Sequence, residues 1–332
     1  MTELTRYVIL DTDMGLDDAW ALVMLLTLGK LLKVKVLAIT CSFGNTDLPN
    51  VTSNTFRVLD SMGMKIPVYN GRSKPILPDF LETGDLQGYY GVDGFGDIFP
   101  FINTTNLVKK DEASDAIYKL VKKYPKQISF ISVGPLSNLA ISLLAHENLV
   151  NQFKEIFIMG GNAYAYGNVR QGNTAEWNFH SDPEAAHIVL SEANCPVHIL
   201  TWESCLEENF LITNDWQFNG PLSDIHSEVM DMLMSAEKKV AEINNSQTWG
   251  PADAILMACF LFEEKMILKQ ETHHAYVELS GKYTRGQVAI ERVNSNLSKN
   301  VQLILQVNET AFTEYILQTA QATVGKVLGS SL

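Results

Sequence analysis

The stretch Leu10-Asp-Thr-Asp-Met-Gly-Leu-Asp-Asp-Ala-Trp-Ala-Leu22 joins an apolar run, Tyr7 to Leu10, to a segment of helical period from Ala19 to Leu32. A second apolar run at Val34 to Thr40 and a second helical stretch at Val51 to Ser61 follow. Strand, acidic turn, helix and strand in that order predict βαβ units and a largely parallel sheet. Further strands are expected at Ile128 to Val133, Glu155 to Met159 and Val197 to Thr201, with helices at Ala113 to Lys123, Leu136 to Leu144 and Pro183 to Glu192. After Ile267 come strand-like runs at Ala275 to Leu279, Gly286 to Glu291 and Val301 to Gln306, then a helix from Glu309 to Leu317. The expected fold is α/β, an open, mostly parallel, doubly wound sheet flanked by helices, with additional C-terminal strands. No Gly/Ser/Pro-rich linker, charge block or repeat interrupts the pattern, so residues 1–332 read as one domain.

Composition narrows the partners. With 46% hydrophobic and 19% charged residues the chain is of globular type. Its formal charge of -13 disfavours nucleic acid and anionic membrane, both of which need a basic face. A small molecule or a cation is the expected partner. Four dispersed cysteines, Cys41, Cys195, Cys205 and Cys259, form no CxxC pair and suit free thiols in a reducing compartment. The first residues have no secretory pattern and no apolar run nears the ~20 residues of a spanning helix, so a soluble cytoplasmic protein is expected.

The opening stretch also holds the most concentrated chemistry. Asp11, Asp13, Asp17 and Asp18 fall within eight residues between a strand and a helix. In an open parallel sheet such a turn lies where sites form. Asp11 and Asp13, two apart on extended chain, point the same way, while Asp17 and Asp18 enter the first helical turn, so all four are expected to converge. Converging carboxylates repel unless protonated or neutralised, and an all-oxygen donor set selects a hard ion, Ca²⁺ or Mg²⁺. Individually, each acid also suits a helix cap or a turn. EF-hand spacing is absent. A Mg²⁺-dependent phosphohydrolase with an Asp nucleophile shares the DxD, but in that family Gly directly follows the second Asp, and here Met14 intervenes.

Asp11-Thr-Asp-Met-Gly-Leu-Asp-Asp18 resembles the DxDxGxDD motif of the nucleoside hydrolases, calcium-dependent N-ribohydrolases that split nucleosides into base and ribose. Ala38-Ile-Thr-Cys-Ser-Phe-Gly-Asn45, Ser132-Val-Gly-Pro-Leu-Ser-Asn138, Met159-Gly-Gly161, Glu176-Trp-Asn178 and Asp182-Pro-Glu-Ala-Ala186 resemble later blocks in the same order. The resemblance implies a Ca²⁺ cofactor held by Asp13, Asp18, Asp253 and the Val133 carbonyl, with Asp17 as general base. It implies ribose contacts from Asn45, Met159, Asn168, Glu176 and Asn178, and a homodimer or homotetramer acting on a nucleoside. Taken alone, Asn45, Met159 and Asn178 are equally at home as strand-end, core and turn residues, and Asp253 as a helix N-cap.

Cleavage of an N-glycosidic bond passes through a positively charged, oxocarbenium-like sugar. Water must be activated, the sugar cation stabilised and the departing base neutralised. For the last task many family members carry His or Trp just before the final Asp ligand, and here that residue is Ala252. Tyr89, Tyr90, Asp93, Phe95 and Trp249 are the candidates for the base pocket, the first four on a Gly-rich loop from Thr83 to Asp97 expected to close over substrate. Cys41 reads as a buried small residue with a possible place near the pocket. Ala252 keeps a second expectation open, a nucleoside- or ribose-binding homologue with impaired turnover.

Overall fold

The computed structural model describes residues 5–77, 88–169, 172–192, 194–206, 210, 212–293 and 296–325. Eleven strands run in chain order: β1 Arg6–Thr12, β2 Val34–Cys41, β3 Val68–Asn70, β4 Ile128–Ser132, β5 Glu155–Met159, β6 Val197–Leu200, β7 Ile212–Thr213, β8 Thr248–Trp249, β9 Ile267–Val277, β10 Val288–Glu291 and β11 Val301–Val307. The helices are α1 Leu16–Leu31, α2 Leu48–Ser61, α3 Ala113–Lys123, α4 Ser137–Ala145, α5 Trp177–Ser181, α6 Pro183–Glu192, α7 Asn214–Asn219, α8 Glu228–Asn244, α9 Ala252–Leu261, α10 Glu263–Met266 and α11 Glu309–Thr323. None of them is long and apolar enough to cross a membrane.

Nine strands form one sheet in the order β10-β9-β11-β6-β5-β4-β1-β2-β3, and β7 pairs with β8 apart from it. Pairing is parallel from β3 through to β11, and β9 and β10 close that edge antiparallel. β1 lies between β2 and β4. The chain therefore leaves β1 toward one edge and returns to start β4 on β1's other side. That reversal opens a crevice at the carboxyl ends of β1 and β4, where open α/β sheets bind ligands.

Two helices set the position of the site. In α1, twelve of sixteen residues are buried, and in α9 all ten are. A helix apolar on every side must be enclosed, and these two pack against each other. Each has acidic residues only in its first turn, Asp17 and Asp18 in α1 and Asp253 in α9, where the helix dipole favours negative charge. Burying both helices thus carries their carboxylates to one place.

The mostly parallel sheet and its extra C-terminal strands are as the sequence pattern implies. β9 differs in extent, beginning at Ile267, ahead of the expected Ala275. Its residues Lys269-Gln-Glu-Thr are polar and exposed or half-buried, so the first half of this strand shows no apolar run.

Candidate active site

A cavity of about 310 Å³ opens at the crevice. Asp17, Asp18 and Asp253 meet there, offering carboxylate oxygens all within 4.8 Å of one another. Asp18 is the anchored member: it accepts from Thr12 Oγ1 at 2.5 Å, Gly15 N at 2.9 Å, Asp13 N at 3.2 Å and Asn45 Nδ2 at 3.2 Å. The chain reaches this turn through Met14, whose φ of +32° is uncommon for a residue with a side chain.

Asp13 sits beside the trio between two loops. Its Oδ2 accepts from Asn45 N at 2.7 Å, while its Oδ1 is buried without a hydrogen-bond partner. Room for this carboxylate exists because residues 44 and 134 are glycines. A Cβ on Gly44 would lie 1.9 Å from Asp13 Oδ2, and one on Gly134 would lie 2.9 Å from Oδ1. Asp17 Oδ1 is likewise buried and unpartnered.

Electrostatics follow from this crowding. Burial, then the charge of Asp18, drives the Asp13 carboxyl well above the usual range. Asp253 rises for the same reasons, burial first and then Asp17, Asp18 and Asp13. Burial and Asp18 push Asp17 up to about 7, against a hydrogen bond from the Tyr90 phenol. Among the described residues, no cationic side chain is among the leading influences on Asp13, Asp17, Asp18 or Asp253. Buried oxygens that lack donors, face like charges and carry no nitrogen or sulfur among them suit a hard divalent cation.

Asp11 departs from the expected convergence. Its Oδ1 accepts from Thr40 Oγ1 at 2.5 Å and Asn138 Nδ2 at 2.8 Å, and burial raises its pKa to about 7. The alternation argument that paired it with Asp13 needs extended chain, and β1 ends at Thr12, between them. Asp11 instead ties β1 to β2 and to the start of α4.

The cavity walls come from later in the chain. Asn45, Val133, Met159, Asn168, Glu176 and Asn178 all line it. Asn178 Nδ2 donates to the carbonyls of Val133 at 3.3 Å and Met159 at 3.1 Å, so one amide joins β4's exit to β5's. Glu176 caps α5: it accepts from Asn178 N and Gly161 N at 2.8 Å and from Phe179 N at 3.1 Å, and burial still lifts it to about 7. Asn168 Oδ1 is buried without a partner.

The five base-pocket candidates divide. Tyr89 and Tyr90 line the cavity, their rings meeting edge to face at 4.9 Å. Asp93 and Phe95 are not among the lining residues, which corrects the expectation from the sequence. Phe95 is fully buried in the main core, and Asp93 Oδ1 accepts from Phe95 N and Asp97 N, shaping its own turn. Trp249 lines an adjoining chamber of about 30 Å³ that shares Asp17, Tyr89, Tyr90 and Gly250 with the cavity. Of the expected closing loop, positions 83–87 lie outside the described residues. The part from 88 is tied to the body, with Thr46 Oγ1 donating to Val92 O and Asn54 Nδ2 to Asp93 O, both at 2.7 Å. Cys41 is buried, its thiol raised to about 12 by burial, and lines neither space.

Sequence reasoning missed three contributors. Trp177 and Trp202 line the cavity, and the Trp177 indole nitrogen is buried without a partner. Its place inside Glu176-Trp-Asn178 was a signal, since the residues on both sides were already candidates. Glu203 accepts backbone N–H groups of Ala163, Tyr164 and Tyr166 at 2.8 to 3.3 Å, holding the loop that leads to Asn168. Nothing local to Glu203 announces that role.

An acid-floored, amide-walled cavity at the switch point of a doubly wound sheet defines an enzyme of small polar molecules. The chain matches the profile of the inosine-uridine preferring nucleoside hydrolases over residues 8–314 and belongs to that family of glycosyl-bond hydrolases. The probable uridine nucleosidase 2 of Oryza sativa subsp. japonica is 36% identical over 186 residues, 55% of this chain and 53% of that protein. The match therefore spans about half of that relative. The pyrimidine-specific ribonucleoside hydrolase RihA of Klebsiella pneumoniae is 28% identical over 320 residues, 94% of this chain and 97% of its own. A solved inosine-guanosine nucleoside hydrolase superposes with a TM-score of 0.85 at 26% identity, over 98% of this chain and 100% of that one.

Proposed function

We propose that the chain hydrolyses the N-glycosidic bond of ribonucleosides to free base and ribose with calcium as cofactor. The observation that carries this is the set of four crowded carboxylates, Asp13, Asp18 and Asp253 buried and Asp17 half-buried with its Oδ1 enclosed, with no cationic side chain among their leading influences from the described residues, beside amides suited to a sugar diol. Asp13, Asp18, Asp253 and the Val133 carbonyl would hold the ion. A bound calcium ion would supply positive charge to this floor and a Lewis-acid centre for oxygen ligands.

The other steps belong to side chains. Asp17, raised toward neutrality, takes a proton from the attacking water. Asn45, Asn168 and Asn178 bind the ribose hydroxyls, with Met159 against the ring. Glu176, fixed by three backbone donors, and the anionic floor favour the sugar as it gains positive charge. Tyr89 and Tyr90 cover the base. The family resemblance extends the proposal to a homodimer or homotetramer, and the dispersed free cysteines extend it to the cytoplasm.

Ala252 supports a second reading. It lines the cavity and offers no proton to a departing base, as suits a nucleoside-binding homologue with little turnover. Release of reducing sugar from inosine and uridine, with and without a chelator, separates the two. Hydrolysis that stops with chelator and returns with calcium is the expected result. Saturable nucleoside binding with no sugar released favours the second reading.

A further inference from the structure

Among the buried acids near the cavity that the proposed reaction does not use, Glu237 joins the two segments that carry the acidic floor. Glu237, in α8, is 6% exposed, and its Oε1 accepts the indole N–H of both Trp20 and Trp249, each at 3.0 Å. The two rings meet edge to face with centroids 5.3 Å apart. Trp20 lies in α1, just beyond Asp18. Trp249 ends β8, shortly before Asp253. One carboxylate oxygen thus joins the two segments that deliver Asp17, Asp18 and Asp253 to their meeting point.

Those segments need a restraint. The three carboxylates repel one another, and the approach to α9 runs through Gly250-Pro251 with no side-chain cap on the helix. On that approach Trp249 is the large buried side chain, and its polar end goes to Glu237. An acceptor shared by two donors fixes both in orientation as well as distance, because each N–H must point at the same atom. Burial, set against the two indoles, leaves the Glu237 carboxyl at about 7.

We infer that Glu237 is a positioning residue for the cation site: by gathering the Trp20 and Trp249 indoles it holds the starts of α1 and α9 together and so sets the site's affinity for a divalent ion. The inference rests on the proposed role of Asp13, Asp18 and Asp253 as ligands. It differs from a purely structural role in what it links. A core hydrogen bond stabilises the fold, whereas this one also sets the distance between carboxylates from two separate helices.

The test is the calcium dissociation constant of the full chain by calorimetry, with thermal melting recorded alongside. Glu237→Leu is expected to weaken calcium by about tenfold or more, the range found when groups that orient metal ligands are lost. Glu237→Gln keeps an oxygen that can accept from both indoles, so calcium affinity should return close to wild type. Should Glu237→Leu fail to fold, Trp20→Phe and Trp249→Phe each remove one donor and carry the same expectation. Wild-type calcium affinity in Glu237→Leu or in both Trp variants, with only the melting temperature lowered, overturns the inference and leaves the function intact. If the wild-type protein binds no calcium, the ion reading and this inference fall together.

Discussion

The floor and the wall of the cavity both contain buried acids, used in opposite ways. Glu176, which lines the wall, and Glu203, which holds the loop leading to Asn168, each accept from several backbone N–H groups and shape a loop by satisfying it. In the floor, Asp13 and Asp17 keep an oxygen without a partner, and Asp253 faces the carboxylates of Asp17 and Asp18. Burial raises acids in both regions, so burial alone does not separate architecture from chemistry. The oxygens do. Glu176 and Glu203 spend their oxygens on loop backbone, whereas carboxylate oxygens of Asp17, Asp18 and Asp253 gather against one another in an arrangement suited to a cation.

The contrast can be broken at several points. The largest effect is expected from Asp17→Asn, which leaves the circular dichroism spectrum unchanged but lowers kcat by about 10²–10⁴, the usual worth of a positioned proton acceptor. Near-normal turnover would remove Asp17 from the mechanism. The two regions should next differ in sign. In ion-free protein at neutral pH, Asp253→Asn should raise unfolding free energy by roughly 1–4 kcal/mol, the scale of like-charge repulsion near 4 Å. Glu203→Ala should lower it by about 1–3 kcal/mol, because buried N–H groups lose their acceptor. Denaturant titration of both variants checks this, and a shift of the same sign in each would erase the distinction.

A smaller effect concerns pH. Asp11, Asp17, Glu176 and Glu237 sit near 7 in the folded chain and near their ordinary values when unfolded. Between roughly pH 4 and about 7 the folded state therefore binds more protons, and ion-free stability falls as pH rises through that window. Calcium should oppose the fall most above it, because its ligands must be deprotonated. Melting curves across this range, with and without calcium, measure both trends, and a flat ion-free profile would contradict the raised values.

Much of this was legible in the sequence because the parallel part of the sheet is buried on both faces. β1, β2, β4, β5 and β6 read as short apolar runs, and the acidic turn after β1 stands out between one of them and an apolar helix. Asn45, Val133, Met159, Asn168, Glu176 and Asn178, which line the cavity, could be named from the ordered motifs. What stayed hidden depends on distance along the chain. β9 is half exposed and lost its strand signature, and Asp11 looked equivalent to Asp13 until the strand was seen to end between them. Glu237 reaches Trp20 across 217 positions, and no local pattern encodes such a contact. Phe95 shows the converse error: an aromatic on a Gly-rich loop, apparently made for a base, is buried in the core.

A crystal structure of the protein soaked with calcium and ribose tests the central claim most directly. The account predicts one ion bound among Asp13, Asp18, Asp253 and the Val133 carbonyl, with the sugar hydroxyls reaching it and the Asn178 amide. Those carboxylates found apart, with nothing between them at saturating calcium, would contradict it.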